Sequence, residues 1–177
     1  MSGSPGFLVI LGGLPGTGKS SIGRELAARM PAQYLRIDTI EGTLRRIRPE
    51  LGDLRDSGYC IAYALAADNL RLGHSVIADS VNPIEITRSA WRDVAKQVDT
   101  DFIEIEIFCS SPDTHRRRVE ERWRAHDGSG VPDWEAVRNR HYEPWDSATV
   151  RIDTADATPA ACAETLIERL RTAQPTS

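Results

Sequence analysis

A three-layer α/β fold around a mainly parallel, five-stranded sheet is predicted for this 177-residue chain on three observations. Short apolar bursts alternate with helix-length stretches along the whole sequence, the pattern of successive βα units. A glycine-rich turn joins the first burst to the first helical stretch. Three acids and a serine directly follow the four later bursts, at the sheet edge where such folds collect ligands.

The first burst, Phe-Leu-Val-Ile-Leu at 7–11, suits a strand buried on both faces. The next segment, Gly13-Leu14-Pro15-Gly16-Thr17-Gly18-Lys19-Ser20, fits the P-loop pattern G-x-x-x-x-G-K-[ST] at every fixed position. Its glycines let backbone N–H groups curl around phosphate oxygens, and the helix that follows adds its partial positive charge. Ile22, Leu26, Ala27, Ala28 and Met30 give that helix one apolar side. In this context Lys19 reaches the β/γ-phosphates of ATP, and the Ser20 hydroxyl ligands Mg²⁺. Residues Gly13 to Ser21 are therefore the candidate nucleotide site.

The second burst spans 33–37 and is followed by Asp38. A carboxylate there can lie opposite the γ-phosphate and take the proton of an acceptor hydroxyl. Asp38 also reads as a helix N-cap, with Glu41 at the N3 position of a capping box, and the two roles are compatible. Residues 40–71 hold two helices broken around Pro49-Glu50-Leu51-Gly52, a segment placed to cap a substrate (about 40–72). Arg36, Arg45, Arg46 and Arg48 lie near this cap, either to recognise an anionic substrate or as solvated charges.

The third burst, 75–78, ends at Asp79. This is a short form of the strand-then-Asp arrangement that holds P-loop Mg²⁺, usually through water. The alternative is a turn or cap residue, with Asn82-Pro83 opening the next helix. The fourth burst is 102–109, and the fifth is 149–152, with Asp153 after it.

Between them, residues 112–140 are rich in arginine and tryptophan, with a soft centre at Asp127-Gly128-Ser129-Gly130, as a mobile lid requires. Pro112 suits a helix start. Arg116–Glu120 and Arg117–Glu121 can pair at i,i+4, whereas Arg118, Arg122 and His126 form a like-charged stripe. Such a stripe costs a few tenths of a kcal/mol, roughly, on a free helix, and an anion would complete it. ATP phosphates supply that anion; the alternative is a solvated basic face. For Trp123, Trp134 and Trp145 the default is core packing, with stacking on a substrate ring as the alternative.

Composition bounds the rest. The length suits one domain over 7–173, with tails at 1–6 and 174–177. A net charge of −4 gives no global attraction to nucleic acid or anionic membrane. Cys60, Cys109 and Cys162 are widely spaced and form no metal pair with the four histidines, so buried free thiols in a reducing compartment are expected and zinc is not. No signal-peptide pattern and no apolar run of transmembrane length are present, which points to the cytoplasm. No heptad seam indicates an oligomer.

The order of these features resembles the small P-loop kinases: the shikimate, gluconate and adenylylsulfate kinases, chloramphenicol phosphotransferase and the AAA_33-type ATP-binding proteins. The resemblance runs from Phe7 to about Leu170. The segment Asp38-Thr39-Ile40-Glu41 looks like the acceptor-site stretch of chloramphenicol phosphotransferase. The segment from Val150 to Pro159 is similar to the last strand and loop of AAA_33 proteins, which lies near the adenine in such kinases. The resemblance implies a P-loop NTPase fold with strands in kinase order, and ATP and Mg²⁺ as cosubstrates. It gives Lys19 and Ser20 the phosphate and metal roles, Asp38 the role of base, Arg118 or Arg122 that of lid arginine and Asp79 a metal role. No shikimate-type D-x-D is present, since Ile stands at position 40, and the adenylylsulfate kinase pattern is incomplete. The leading reading is a kinase that transfers the γ-phosphate of ATP to a hydroxyl of a small molecule. The alternatives are a kinase of polynucleotide 5′-hydroxyls or of an RNA-linked group, and an ATP-dependent regulatory protein with weak ATPase activity.

Overall fold

The computed structural model describes residues 6–173; the tail assigned to 174–177, and residues 1–5 of the N-terminal tail, lie outside the described residues. Gly6 belongs to the fold, not to a tail. It is buried against the turn before β3, where an added Cβ would meet the His74 carbonyl oxygen at 2.5 Å.

The order is β1 (Leu8–Gly12), α1 (Lys19–Arg29), β2 (Ala32–Arg36), α2 (Ile37–Ile47), α3 (Ser57–Arg71), β3 (Ser75–Asp79), α4 (Glu85–Gln97), β4 (Phe102–Phe108), α5 (Pro112–Ala125), α6 (Trp134–Arg138), β5 (Val150–Asp153) and α7 (Pro159–Ala173). A single 3₁₀ turn at Pro49–Leu51 separates α2 from α3. All neighbouring strands pair in parallel, in the order β2-β3-β1-β4-β5. Each apolar burst forms one of these strands.

The alternation of β1 explains the three layers. Val9 and Leu11 enter the core beneath α1 and α7, with Ile22, Leu26 and Leu166. Leu8 and Ile10 enter the opposite core beneath α3 and α4, where Ala62 and Ala66 meet Trp91 and Val94. A strand buried on both faces has to read as a continuous apolar run, as this one does. In β4, Ile103, Ile105 and Ile107 join the first core. The buried carboxylates of Glu104 and Glu106, on the other face of β4, are held by Arg92 and Arg151, each at 2.7 Å. Pairing is what makes a buried carboxylate tolerable. The chain leaves β1 for β2 and β3 on one side, then crosses to β4 and β5 on the other. The strand order therefore reverses at β1, at whose carboxyl end the glycine-rich turn begins.

Two expected helix starts are corrected. Helix α2 begins at Ile37, straight out of β2, so Asp38 lies in its first turn and no capping box forms. Glu41 instead pairs with Arg45 at 3.0 Å. Asn82 and Pro83 do not open α4, which starts at Glu85. Asn82 is buried with φ 48, and its amide donates to the Leu11 carbonyl at 3.0 Å, tying the end of β3 to β1. The start of α4 is capped from a distance: the Glu85 N–H donates to Glu143 Oε2 at 2.7 Å. Trp145 is core, as expected, but Trp123 is 42% exposed, lying over Gly128 in the turn after α5. All three cysteines are free, yet only Cys162 is buried; Cys109 is half-buried and Cys60 exposed on α3. No helix among the described residues is long and apolar enough to cross a membrane.

Candidate active site

The glycine-rich turn wraps over the carboxyl end of β1. Gly13 donates its N–H to the Val81 carbonyl at 3.1 Å. Gly16 has φ +85, and an added Cβ would lie 2.4 Å from Val119 Cγ2, so the loop touches α5 where only glycine fits. Gly18, in the left-handed region, is the N-cap of α1 and has no side chain to occupy the helix's free N–H groups. Those groups, together with the helix dipole, are what an anion would meet.

Three side chains from the second half of the chain clamp this loop. His115 Nε2 lies 2.8 Å from the Pro15 carbonyl, which accepts from it if that nitrogen carries the proton. The Thr154 hydroxyl donates to the Thr17 carbonyl at 2.7 Å. Arg118 donates to the Thr154 hydroxyl at 2.9 Å and to its carbonyl at 2.8 Å.

Lys19 is buried in the turn. Burial pushes its ammonium below the usual range, against the opposing pull of Asp79 and Asp38. A buried ammonium at the helix N-terminus is placed to meet an anion seated on the turn.

Asp79 ends β3 and is almost fully buried. Its Oδ2 accepts from the Tyr34 hydroxyl at 2.5 Å and lies 3.7 Å from Arg36 Nε. Burial, then Asp79 itself, pushes the Tyr34 hydroxyl well above its usual range, so tyrosine remains the protonated donor. Asp79 Oδ1 has no hydrogen-bond partner. An unsatisfied, buried anionic oxygen calls for a missing donor, and a metal-bound water is one. Among the described residues no group of three His, Cys, Asp or Glu forms a metal cage. Mg²⁺ is generally held by one or two protein oxygens plus phosphates, and the free Asp79 oxygen is of the kind it takes.

Asp38 accepts from Arg36 at 2.7 Å and from Arg122 at 3.4 Å. Partial burial pushes its carboxyl up, but Lys19, Arg36 and Arg122 outweigh this and hold it below the usual carboxylate range. It is therefore ionised, and the same cations make it a weaker base than a free carboxylate.

Two cavities meet at this cluster. One, of about 380 Å³, runs along the turn past Gly16, Ser20, Ser21 and Arg118 to Thr154, Ala157 and Pro159. The other, of about 710 Å³, lies between α2 and the segment after α5, and includes Asp38, Glu41, Val131 and Pro132. Lys19 and Arg122 line both.

The structure thus gathers Lys19, Ser20, Asp38, Asp79, Arg118 and Arg122 at one sheet edge, but it separates the two arginines of α5. Arg122 reaches Asp38, whereas Arg118 is committed to Thr154. Asp153, also flagged at a strand end, stands apart and serves a turn: its carboxylate accepts from the N–H groups of Ser110 and Ala155, both at 3.0 Å. Tyr34, His115 and Thr154 escaped sequence reasoning. Tyr34 pairs with Ile77, two residues before Asp79 on the same sheet face, a placement visible only once the register of β2 on β3 is known.

The sequence profile of the AAA_33 family, described as an AAA domain, matches residues 8–144. No curated protein matches the chain. Among solved structures, a kinase candidate from Chloroflexus aurantiacus is 20% identical and superposes with TM-score 0.76 over 98% of this chain and 100% of its own. The adenylylsulfate (APS) kinase CysC of Mycobacterium tuberculosis, solved with AMPPNP and APS, is 20% identical, with TM-score 0.69 over 96% and 99%. Kti12 of Chaetomium thermophilum, solved with ADP-AlF3, is 20% identical, with TM-score 0.67 over 94% and 98%. At these identities the likeness establishes a shared P-loop fold.

Proposed function

Given that the chain belongs to the AAA_33 family, we propose that it is a kinase that transfers the γ-phosphate of ATP to a hydroxyl of a small molecule. The observation that carries this reading is the junction of the two cavities. A nucleotide in the first and an acceptor in the second would meet where Lys19 and Arg122 line both, beside the ionised Asp38.

The nucleotide lies with its phosphates on the N–H groups from Gly13 to Ser21 and its adenine toward Ala157 and Pro159. Lys19 bridges the phosphates. Ser20 and Asp79 would hold Mg²⁺, which when bound would neutralise charge on the phosphates. Asp38 accepts the proton of the acceptor hydroxyl as that oxygen bonds to the γ-phosphorus. The bond from the γ-phosphorus to the β,γ-bridging oxygen breaks, and ADP leaves. Arg122 stabilises the negative charge spread over the migrating group, while Arg118, through Thr154, holds the loop in shape. The segment 112–140 closes over the site and 40–72 caps the acceptor, excluding water that would otherwise hydrolyse ATP.

The test is transfer of labelled γ-phosphate across a panel of hydroxyl metabolites, nucleosides, antibiotics and 5′-hydroxyl oligonucleotides, with Lys19→Ala and Asp38→Asn alongside. Transfer to one acceptor class, lost in both variants, supports the kinase. Tight ATP binding without transfer to any acceptor, unaltered by Asp38→Asn, would replace it with a nucleotide-dependent regulatory protein.

A further inference from the structure

We propose that Tyr34 is a positioning residue of the metal site: its hydroxyl anchors one oxygen of Asp79, so that the other stays aimed and free for Mg²⁺. The inference rests on the reading of Ser20 and Asp79 as the residues that would hold the metal.

Tyr34 stands in the middle of β2, opposite Ile77 of β3. Alternation along β3 puts Ile77 and Asp79 on one sheet face, so the tyrosine and the acid share it. That face packs beneath α1, whose first turn carries Ser20. The phenol thus reaches both elements that would supply the metal's protein oxygens. It donates to Asp79 Oδ2 at 2.5 Å and lies 3.4 Å from the Ser20 carbonyl. A phenol has one proton, and the shorter contact assigns it to Asp79.

Among the described residues nothing else holds that carboxylate by a hydrogen bond. Arg36 Nε stands 3.7 Å from the same Oδ2 and makes no hydrogen bond itself. Asp79 Oδ1 has no partner. The last torsion of an aspartate has only a broad preference, so one short bond to Oδ2 decides where Oδ1 points.

Packing explains the ring but not the hydroxyl. The ring lies against the core beneath α1 and α7. Helix α1 makes room for it with a glycine: a Cβ added at Gly23 would lie 2.9 Å from Tyr34 Cε2 and 3.1 Å from Leu11 Cδ1. Glycine inside a helix is unfavourable by itself, so this clearance is a reason for its presence. A phenylalanine would fill the same space. The hydroxyl is what remains, and its short contact is Asp79.

The experiment uses Mn²⁺ as the probe, a cation that also takes oxygen ligands. Its binding is followed by electron paramagnetic resonance, with the whole chain in excess over a non-hydrolysable ATP analogue. Tyr34→Phe should weaken Mn²⁺ binding about tenfold or more, the usual cost of losing a partner that orients a metal ligand. Its affinity for the analogue without metal should not change, which also shows that the fold survives. Asp79→Ala should weaken Mn²⁺ as well, and adding Tyr34→Phe to it should cost nothing more, because the tyrosine acts through the acid.

Unchanged Mn²⁺ binding in Tyr34→Phe overturns the inference, as does a loss that persists in the Asp79→Ala background; the metal reading survives both. Loss of metal-free analogue binding in Tyr34→Phe also overturns it, since the hydroxyl would then be holding the loop. Unchanged Mn²⁺ binding in Asp79→Ala sinks the metal reading and the inference together. The readout needs no acceptor, so failure of phosphoryl transfer would sink the kinase reading and leave the inference standing.

Discussion

At the scale of single residues, Arg118 and Arg122 of α5 make different contacts. Both lie on one stripe of α5 and looked equivalent, because helical spacing says which face a side chain shares and nothing about what it meets. Arg118 spends its donors on the Thr154 hydroxyl and carbonyl, and Thr154 in turn holds the Thr17 carbonyl. Arg122 lies 3.4 Å from Asp38 and lines both cavities. Arg122→Gln is therefore expected to lower kcat by about a hundredfold or more, as losing a donor to developing charge does, with a small change in KM for ATP. Arg118→Gln is expected to raise KM for ATP about tenfold through a loosened loop, leaving kcat less affected. Steady-state kinetics of both variants measure the split, and the opposite pattern would exchange the two roles. Lys19, Asp38 and Asp79 were readable because each belongs to a local pattern of strand, turn and following residue. Tyr34 was not, because its role depends on a neighbouring strand 45 residues away, where Asp79 stands.

At the scale of elements, strands were more legible than helix starts. Apolar bursts bounded by turns fix a strand buried on both faces to within a residue. A helix start depends on which residue first leaves extended backbone, and both Asp38 and Asn82 looked like caps. Neither is one, because β2 runs directly into α2 and the 82–84 stretch is held by Leu11 and Tyr59 before α4 begins. The same dependence on packing distinguishes two glycines. Gly16 combines φ +85 with a Cβ position 2.4 Å from Val119, whereas Gly42, inside α2, would place a Cβ in open space. Gly16→Ala should destabilise the fold by about 1–3 kcal/mol. Gly42→Ala should stabilise it by about 0.4–1 kcal/mol, by helix propensity and a less free unfolded chain. Urea unfolding of both proteins measures the contrast; equal effects would mean the loop does not press on α5.

For the whole molecule, the decisive property is that the phosphate loop sits where the strand order reverses, with elements from both halves of the chain closing on it. The sequence made the loop and the alternation visible, but not the convergence of α2, α5, the 126–132 turn and Arg140 on one cavity, which only the crossovers create. Net charge hid it as well, since −4 averages over a surplus of cations in that cavity and acids elsewhere. A ligand that bridges elements from both halves and binds only the folded state must stabilise the molecule as a unit. At a hundredfold excess over Kd that linkage is worth about 2.7 kcal/mol. For a chain of this size it amounts to a rise of about 5–10 °C in Tm. Mg-ATP should produce this rise, and Lys19→Ala should abolish it. Chelating the metal should shrink it, because Asp79 would again be left with an unsatisfied buried oxygen beside the phosphates. Arg46→Gln, in the lining of the second cavity only, should leave it intact. Calorimetric melting of the three proteins with and without Mg-ATP decides: no rise in the unmodified protein removes ATP as its ligand, and a rise insensitive to Lys19→Ala moves the nucleotide away from the glycine-rich turn.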